Sequence, residues 1–417
     1  MLSIAAFGFL TAAAWNFTSL IIIRAIVGVA VAGMPVGYDI LAESLPMATR
    51  GKFLMSIQFF WTLGGLWVTY CGWQSLASSW QLFTILSAIP TALAFILGLV
   101  ALPESPHWYA EQGREEEALA VLQDWKQANG SDFEFHKVAF TAHDQDMSFA
   151  DVFKKSKMRK PLFRMAIIWF SFGIAYYGIV SLLPRILTHD DADACTNLGN
   201  EYSVRDLAVY KPLDPFRDDV YLPLTPLVKP LTCIVETKAA DGTKKCSEAN
   251  FDFKDLAISS CAEIFGVIAG ILMIDTAGRT KTQAIMYGLG AVAAVLLSAK
   301  NQFDITFLTF AASLGRFAEM AASCATWVHT PELFPTQVRV QAHAFMELSS
   351  RIGASIAPFL VSKSFPYLAC ALIMAGLSGI AALTALTLPE TAGMHLRDEQ
   401  DVESSAEFDS DEEDDEA

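Results

Sequence analysis

Glu43-Ser44-Leu45-Pro46-Met47-Ala48-Thr49-Arg50 returns 289 residues later as Glu332-Leu333-Phe334-Pro335-Thr336-Gln337-Val338-Arg339. The shared pattern, E-x-x-P-x-x-x-R, keeps acid, proline and base in register while the residues between them change. A second pair, Leu102-Pro103-Glu104-Ser105 and Leu388-Pro389-Glu390-Thr391, recurs at an offset of 286. Two unrelated pairs at nearly one offset indicate an internal duplication. Each copy closes a long apolar run, so the repeated unit is a set of apolar helices and not a soluble module.

The runs decide the environment. The chain has 417 residues, 53% hydrophobic and 18% charged, with a mean hydropathy of +0.37. A soluble domain carries about 25% charge. A bilayer core about 30 Å thick takes roughly 20 apolar helical residues. No Asp, Glu, Lys or Arg occurs from Met1 to Ile23, from Ala25 to Tyr38, or from Phe53 to Pro103. The last stretch is too long for one helix, and Gly72-Trp73-Gln74-Ser75 is read as the turn that divides it. Ten spans are predicted, at 1–15, 18–42, 53–71, 80–101, 163–186, 256–275, 281–299, 304–327, 338–362 and 364–388. Met1–Asn16 lacks the basic n-region and cleavage site of a secretory signal, so it is read as a helix that stays.

The formal charge of −16 belongs mostly to the end of the chain. Twelve acids and no base lie between Asp398 and Ala417, leaving the remainder at −4. With no basic surface to displace counterions, nucleic acid is excluded as a partner. The tail reads as disordered by composition, and Ser404 and Ser410, each with a Glu three residues on, suit an acidophilic kinase. Lys and Arg gather beside one set of loops, at Arg50 and Lys52, Lys154 to Lys160, Arg279 and Lys281, Arg339 and Arg397. By the positive-inside rule this set is cytoplasmic, both termini with it, and segment 188–255 is outer or luminal.

The domain division follows: 1–103 an incomplete four-helix N-terminal bundle, 104–160 a cytoplasmic linker with short helices, 161–395 a six-helix C-terminal bundle, and 396–417 the acidic tail. The Asp275-Thr276-Ala277-Gly278-Arg279 turn of the second half has no counterpart in the first. The sequence thus predicts an N-terminally truncated form, two helices and one turn short.

These motifs together resemble the major facilitator superfamily. D-x-x-G-R between helices, E-x-x-P-x-x-x-R-G after the fourth family helix and P-E-S-P after the sixth are its sugar-porter-like signatures. Arg24-Ala-Ile-Val-Gly28 with Gly33-Met-Pro35-Val36, Trp169-Phe170-Ser171 with Tyr176-Tyr177-Gly178, and Thr330-Pro331-Glu332 with Arg351-Ile-Gly353 and Pro358-Phe359 are similar to the branch of synaptic-vesicle-glycoprotein-2-related proteins. The outer loop holds a single pentapeptide-like step at Asn250-Phe-Asp-Phe, which favours the related branch over the glycoproteins themselves. The resemblance implies an all-α multi-pass membrane protein, two parallel helical bundles with ten of twelve helices present. It implies secondary active transport by rocking of the halves about a midplane cavity.

Charges inside spans mark cavities or one another, since a central Arg or Asp costs about 2.5–3.5 kcal/mol on insertion scales. Arg24, Glu263, Arg316 and Glu319, with the aromatics Trp61 and Tyr177, are the substrate and coupling candidates. Glu263 lies near the outer end of its span, where an ordinary hydrated position competes with a coupling role. Tyr176 and Trp327 are read with Trp61 and Tyr177 as aromatics that could stack on a solute, Trp61 and Tyr177 being mid-span; for all four the competing reading is core packing or an interfacial belt. Glu347 and Arg351, spaced i, i+4, read as neutralising each other, and His343 as a packed or interfacial residue. At the helix ends, Glu43, Arg50, Glu104, Arg279, Glu332 and Arg339 read either as a cytoplasmic gate that pairs and separates or as snorkelling side chains; Asp39 is a further possible member of that set. Cys233 and Cys246 are the disulfide candidate of the outer loop. No Gly-rich phosphate loop, hydrolase triad or zinc spacing occurs, so no enzyme, cofactor or metal is expected. The expected partners are a small organic solute, protons and the lipid bilayer of a plasma membrane or intracellular vesicle, with a monomer favoured. The rival from another class is a transport-inactive receptor or trafficking protein, or a non-functional truncated chain.

Overall fold

The computed structural model describes residues 1–75, 79–101, 103–104, 106–111, 113–130, 132, 148–187, 233–236, 245–248, 253–299, 302–362 and 365–394. The first half begins with helices α1 (Leu2–Thr11), α2 (Phe17–Val31), α3 (Met34–Ser44), α4 (Met47–Ser56), α5 (Gln58–Ser75) and α6 (Trp80–Ala101). Asn16 caps α2 through a capping box in which its Oδ1 accepts from the Ser19 N–H at 2.7 Å. Helices α2 and α3 form one apolar span, Phe17–Ala42, stepped at Ala32–Gly33. Pro46 ends the α3 region and stands at the N-cap of α4, where its missing N–H costs nothing. Arg50 and Lys52 therefore sit inside a helix and not in a loop.

Two boundaries differ from the sequence reading. The span expected at 53–71 is broken at Ile57, and α5 continues through Gly72 to Ser75, where a turn was expected. A Gly inside a helix costs only about 1 kcal/mol against Ala, which packing along an apolar span offsets. The connecting segment holds α7 (Pro106–Glu111), α8 (Glu115–Asn129) and α9 (Phe149–Lys154). Glu115, Glu116 and Glu117 face the positive end of α8, and Gly130 at φ 60 closes it.

The second half contains α10 (Ser156–Leu187), α11 (Phe253–Ile274), α12 (Arg279–Ser298), α13 (Ile305–Glu332), α14 (Thr336–Leu360) and α15 (Tyr367–Ala385). Gly278, at φ 89, supplies the left-handed turn between α11 and α12 that the D-x-x-G-R pattern needs. Within segment 188–255, β1 (Cys233–Glu236) pairs antiparallel with β2 (Lys245–Glu248), a short ribbon beside an otherwise all-α fold. The register sets Cys233 opposite Glu248 and Cys246 opposite Val235, so the two cysteines are two positions out of step. Their side chains lie outside the described residues, as does the acidic tail. Cys71 and Cys261 are free thiols.

Every predicted span coincides with helix, although among the described residues six helices are long and apolar enough to cross a membrane by length and composition alone. Helices α13 and α14 fall outside that six; they carry Arg316, Glu319, Arg339, Glu347 and Arg351, all turned inward or into a cavity. Helix α10 packs on both α14 and α15, and α12 on both α13 and α15. The α10–α14 crossing is glycine to backbone on both sides: a Cβ on Gly173 would strike the Ser350 carbonyl, and one on Gly353 the Phe170 carbonyl. Small residues permit such approach between apolar helices. The halves meet where α5 and α4 lie on α11, α4 on α13, and α3 on α14. By contrast, only 6% of the α6 window is buried against 67% of the α10 window, which leaves α6 an apolar outer face suited to lipid.

Candidate functional site

The repeat first noticed in sequence is a repeat of hydrogen bonds. Arg50 Nε donates to the Ala42 carbonyl at 3.0 Å, and Arg339 Nε donates to the Pro331 carbonyl at 2.9 Å, eight residues back in both halves. Each guanidinium folds under its proline turn and satisfies a carbonyl near the end of the preceding helix. Both are buried, so neither is a snorkelling side chain.

Around them the second half is tightly joined. Arg279 donates from Nε and Nη2 to the Glu332 carboxylate at 3.0 and 3.1 Å, and from Nη1 to Asp275 at 3.0 Å. The Thr391 hydroxyl donates to Glu332 at 2.5 Å. Glu390, the second-half partner of Glu104, accepts from the backbone N–H of Arg279 at 2.8 Å, that of Thr280 at 3.1 Å and that of Ala392 at 3.0 Å. Sequence reasoning left Glu390 out of the site, although its recurrence was the available signal. The Arg279–Glu332 pair lies within one half. Across the halves, Lys52 Nζ stands 3.8 Å from Asp275, and Gly51 packs beside that carboxylate and the Arg279 guanidinium. Glu104 is exposed, and the Glu43 side chain lies outside the described residues.

Burial alone would raise the Glu390 carboxyl, but the N–H donors and the Thr280 hydroxyl outweigh it and hold it below the usual carboxylate range. A group lowered in the folded state contributes stability above its unfolded value, and loses it as pH falls through the folded value. The full chain's thermal midpoint in detergent is therefore expected to drop on acidification below the ordinary carboxylate value of about 4.3. The drop should be shallower in Glu390→Gln; equal slopes in the two proteins would count against this assignment.

Deeper in, the halves enclose a cavity of about 450 Å³. Gly37 and Tyr38 of α3 and Gln58 and Trp61 of α5 line one wall; Phe172, Tyr177, Trp327, Glu347 and Arg351 line the other. Trp61 and Tyr177, chosen from sequence, both reach it. Glu347 and Arg351 form the expected helical pair, with Arg351 Nε donating to Glu347 at 2.8 Å, and Tyr177 lines the same cavity. Their place on the cavity wall was missed, because i, i+4 spacing shows that two charges meet but not which way they face.

Beside the cavity lies the polar core. Glu263 is 2% exposed and Arg316 5%. Arg316 donates to Glu263 Oε1 from Nη2 at 2.7 Å and from Nε at 3.0 Å. The Tyr176 hydroxyl donates to the same oxygen at 2.9 Å and accepts from Trp61 Nε1 at 2.9 Å. Thr62 Oγ1 donates to Glu263 Oε2 at 3.4 Å. Four helices thus converge on one carboxylate, and the Trp61 and Thr62 links cross from the first half to the second. Glu263 is not at a hydrated helix end. Tyr176, one residue from the Tyr177 chosen from sequence, carries the cross-link.

The other two candidates sit elsewhere. Arg24 is exposed on α2. Glu319 is fully buried between α12, α13 and α15, with the Ser378 hydroxyl donating to it at 2.5 Å and Gly290 packed against it. Among the described residues no group of three or more His, Cys, Asp or Glu is placed to hold a metal ion.

A family model described as "Sugar (and other) transporter" matches residues 1–185 and 254–401. The chain is 28% identical over 398 residues to the synaptic vesicle 2-related protein of Bos taurus, covering 94% of this chain and 65% of that protein. It is 27% identical over 392 residues to the putative transporter svop-1 of Caenorhabditis elegans, covering 92% and 67%. It is 24% identical over 392 residues to organic cation/carnitine transporter 7 of Arabidopsis thaliana, covering 85% and 68%. The chain spans 65% of the length of the synaptic vesicle 2-related proteins it matches. Among solved structures, the proton:xylose symporter XylE bound to 6-bromo-6-deoxy-D-glucose superposes with a TM-score of 0.56 at 18% identity, covering 95% of this chain and 80% of that one. The inward open XylE from E. coli gives 0.53 at 18% identity, covering 94% and 80%.

Proposed function

The chain belongs to the sugar (and other) transporter family of the major facilitator superfamily, and on that premise we propose that it carries a small organic solute across a membrane by alternating access, coupled to protons or another gradient. The observation that carries this reading is the network from Trp61 and Thr62 through Tyr176 to Glu263 and Arg316. It is the kind of link a carrier needs: buried at Glu263, half-buried at Trp61, directional and shared between two bodies that must part. An interface held by a few hydrogen bonds is bistable, since each bond is either made or exchanged for water.

In this reading the solute enters the cavity between Tyr38, Trp61, Tyr177 and Trp327, whose ring faces suit a flat or cationic group. Arg351 and Glu347 offer a guanidinium and a carboxylate at the same wall, which accommodates an anion, a cation or a zwitterion. Solute that engages Trp61 competes with the indole N–H bond to Tyr176, and so with the link between the halves. The face with the E-x-x-P-x-x-x-R turns is cytoplasmic, as are both termini, in a plasma membrane or an intracellular vesicle. The printed neighbours name a proton:xylose symporter and an organic cation/carnitine transporter, which set the starting panel: sugars, organic cations and carboxylates.

The test is uptake of that panel by proteoliposomes holding the full chain, with and without an imposed proton gradient. At least one solute class should accumulate above protein-free vesicles. Trp61→Phe keeps the ring but removes the donor to Tyr176, and should reduce the rate about tenfold, the effect of one lost hydrogen bond of about 1.4 kcal/mol. No accumulation of any class would overturn the transport reading; an unchanged Trp61→Phe rate would overturn the role given to the link.

A further inference from the structure

Asp39 and His343 lie 304 residues apart and meet in the interior: His343 Nδ1 stands 2.7 Å from Asp39 Oδ1. Their side chains are 1% and 0% exposed. Asp39 belongs to α3 of the first half and His343 to α14 of the second, so this buried contact joins the bodies that must part in alternating access. It lies on the face of the repeat turns, one helical turn before Glu43 and one turn after Arg339.

The surroundings are aromatic. Around the His343 ring, Trp327 is centred at 4.8 Å, Trp169 at 5.6 Å and Tyr38 at 6.1 Å. Tyr38 comes from the first half and the two tryptophans from the second, so parting the halves also opens this enclosure. Asp39 Oδ2, His343 Nε2 and the Tyr38 hydroxyl are buried with no hydrogen-bond partner among the described residues. The pair is thus sealed but incompletely satisfied, unlike Glu263, whose charge is met by a guanidinium and two hydroxyls.

We propose that the Asp39–His343 pair is a proton-binding site that locks the two halves together when it holds its proton and lets them part when it does not. The inference rests on the alternating-access reading above. With the carboxylate ionised, Nδ1–H donates to it, and the pair is net neutral only when Nε2 also carries a proton. The imidazolium is then enclosed by aromatic rings tilted or edge-on to it and by an ionised partner. Without that proton the pair itself carries a net negative charge, which burial in a medium of low dielectric makes costly. Parting α3 from α14 admits water to both groups and removes the cost. The proton therefore travels with closure on the turn face and leaves on opening.

Other ionisable groups face the pair from each packed element. Tyr38 stands beside Asp39 on α3, Arg339 and Glu347 lie one turn either side of His343 on α14, Arg50 of α4 donates to the Ala42 carbonyl of α3, Cys324 and Glu332 of α13 act on Tyr38, and α10 presents Trp169, which does not titrate. Glu332 is held by Arg279, and Glu347 by Arg351, in both cases by direct hydrogen bonds. Each acid therefore has its own counter-ion, and neither supplies Asp39 or His343 with one.

The test needs no transported solute. Spin labels are placed at Ser44 of α3 and Val340 of α14, both exposed, in the full chain with its 7 cysteines replaced. Distances between them are read by pulsed electron resonance in lipid nanodiscs from pH 5.5 to 8.0. A single linked proton changes the open-to-closed ratio by at most about tenfold per pH unit. The expected result is a rise of about fivefold or more in the long-distance fraction over that range. Asp39→Asn and His343→Gln should flatten the pH response, while Asp39→Glu, which keeps the carboxylate, should retain it. A merely structural pair would shift the open fraction in these variants at every pH and leave the pH response in place; that result overturns the proposal. So does a distance distribution in the otherwise unmodified chain that does not move with pH, which covers variants that fail to fold. Uptake with no pH-dependent distance change would sink this inference and spare the transport reading; a pH-dependent distance change with no uptake would do the reverse.

Discussion

Glu263→Ala should stop uptake and cost the folded chain about 3–5 kcal/mol, because it strands the Arg316 guanidinium in the interior. Among the described residues Arg316 would keep only Ser259, whose Oγ lies 3.4 Å from Nη1. Arg316→Ala should be nearly as severe, leaving the Glu263 carboxylate with Tyr176 and Thr62 alone. The double replacement should be milder than the two losses added, since it removes both charges and leaves none unpaired. Thermal or denaturant unfolding in detergent gives the three values, and uptake by the same proteins gives the functional loss. Strict additivity would mean that the two side chains do not act on each other. Glu263→Gln separates charge from shape: it can still accept from Tyr176 and Thr62 but no longer neutralises Arg316, and its uptake should also fall below a tenth of the parent rate.

The second large effect concerns packing. Gly353→Val should prevent recovery of monodisperse protein, and Gly173→Val likewise, because each added side chain would meet a backbone carbonyl across the α10–α14 crossing. Overpacking commonly costs about 1–3 kcal/mol when neighbours can turn aside; a carbonyl within a helix cannot. Gly376 on α15 has no atom within 4 Å of the place its Cβ would take, so Gly376→Val is the control and should be tolerated. Equal yields for Gly353→Val and Gly376→Val would refute the argument.

What the sequence made legible was set by range. The repeat at Glu43–Arg50 and Glu332–Arg339 foretold two equivalent turns, and the structure returns the same hydrogen bond in each, from arginine to the carbonyl eight residues back. Periodicity and hydropathy placed helix at all ten predicted spans, because burial in lipid acts on each run separately. The boundaries that moved, at Ile57 and Gly72–Ser75, are those where a local turn signal competed with packing along an apolar helix and lost. The polar core was half legible. Charge in a span identified Glu263 and Arg316 as residues needing a partner, and they prove to be each other's. Tyr176 and Tyr177 are adjacent and differ by about 100° of helical phase, which composition does not report; one joins the network while the other faces the cavity. Asp39 and His343 were not legible as a pair, since nothing local marks two groups that tertiary packing brings together from opposite halves. The same holds for Glu390, which looks like a helix-end acid until the Gly278 turn is seen to fold back onto it.

The claim at the centre of this account is that the cavity between the halves opens to each side of the membrane in turn. Gln58 lines that cavity. A single cysteine at Gln58→Cys, in the otherwise cysteine-free full chain sealed into vesicles, can be challenged with a membrane-impermeant thiol reagent from either face. Labelling from both faces, with an intervention that closes one face raising labelling from the other, is the predicted result. Labelling from one face alone, under every pH and solute condition, would contradict it.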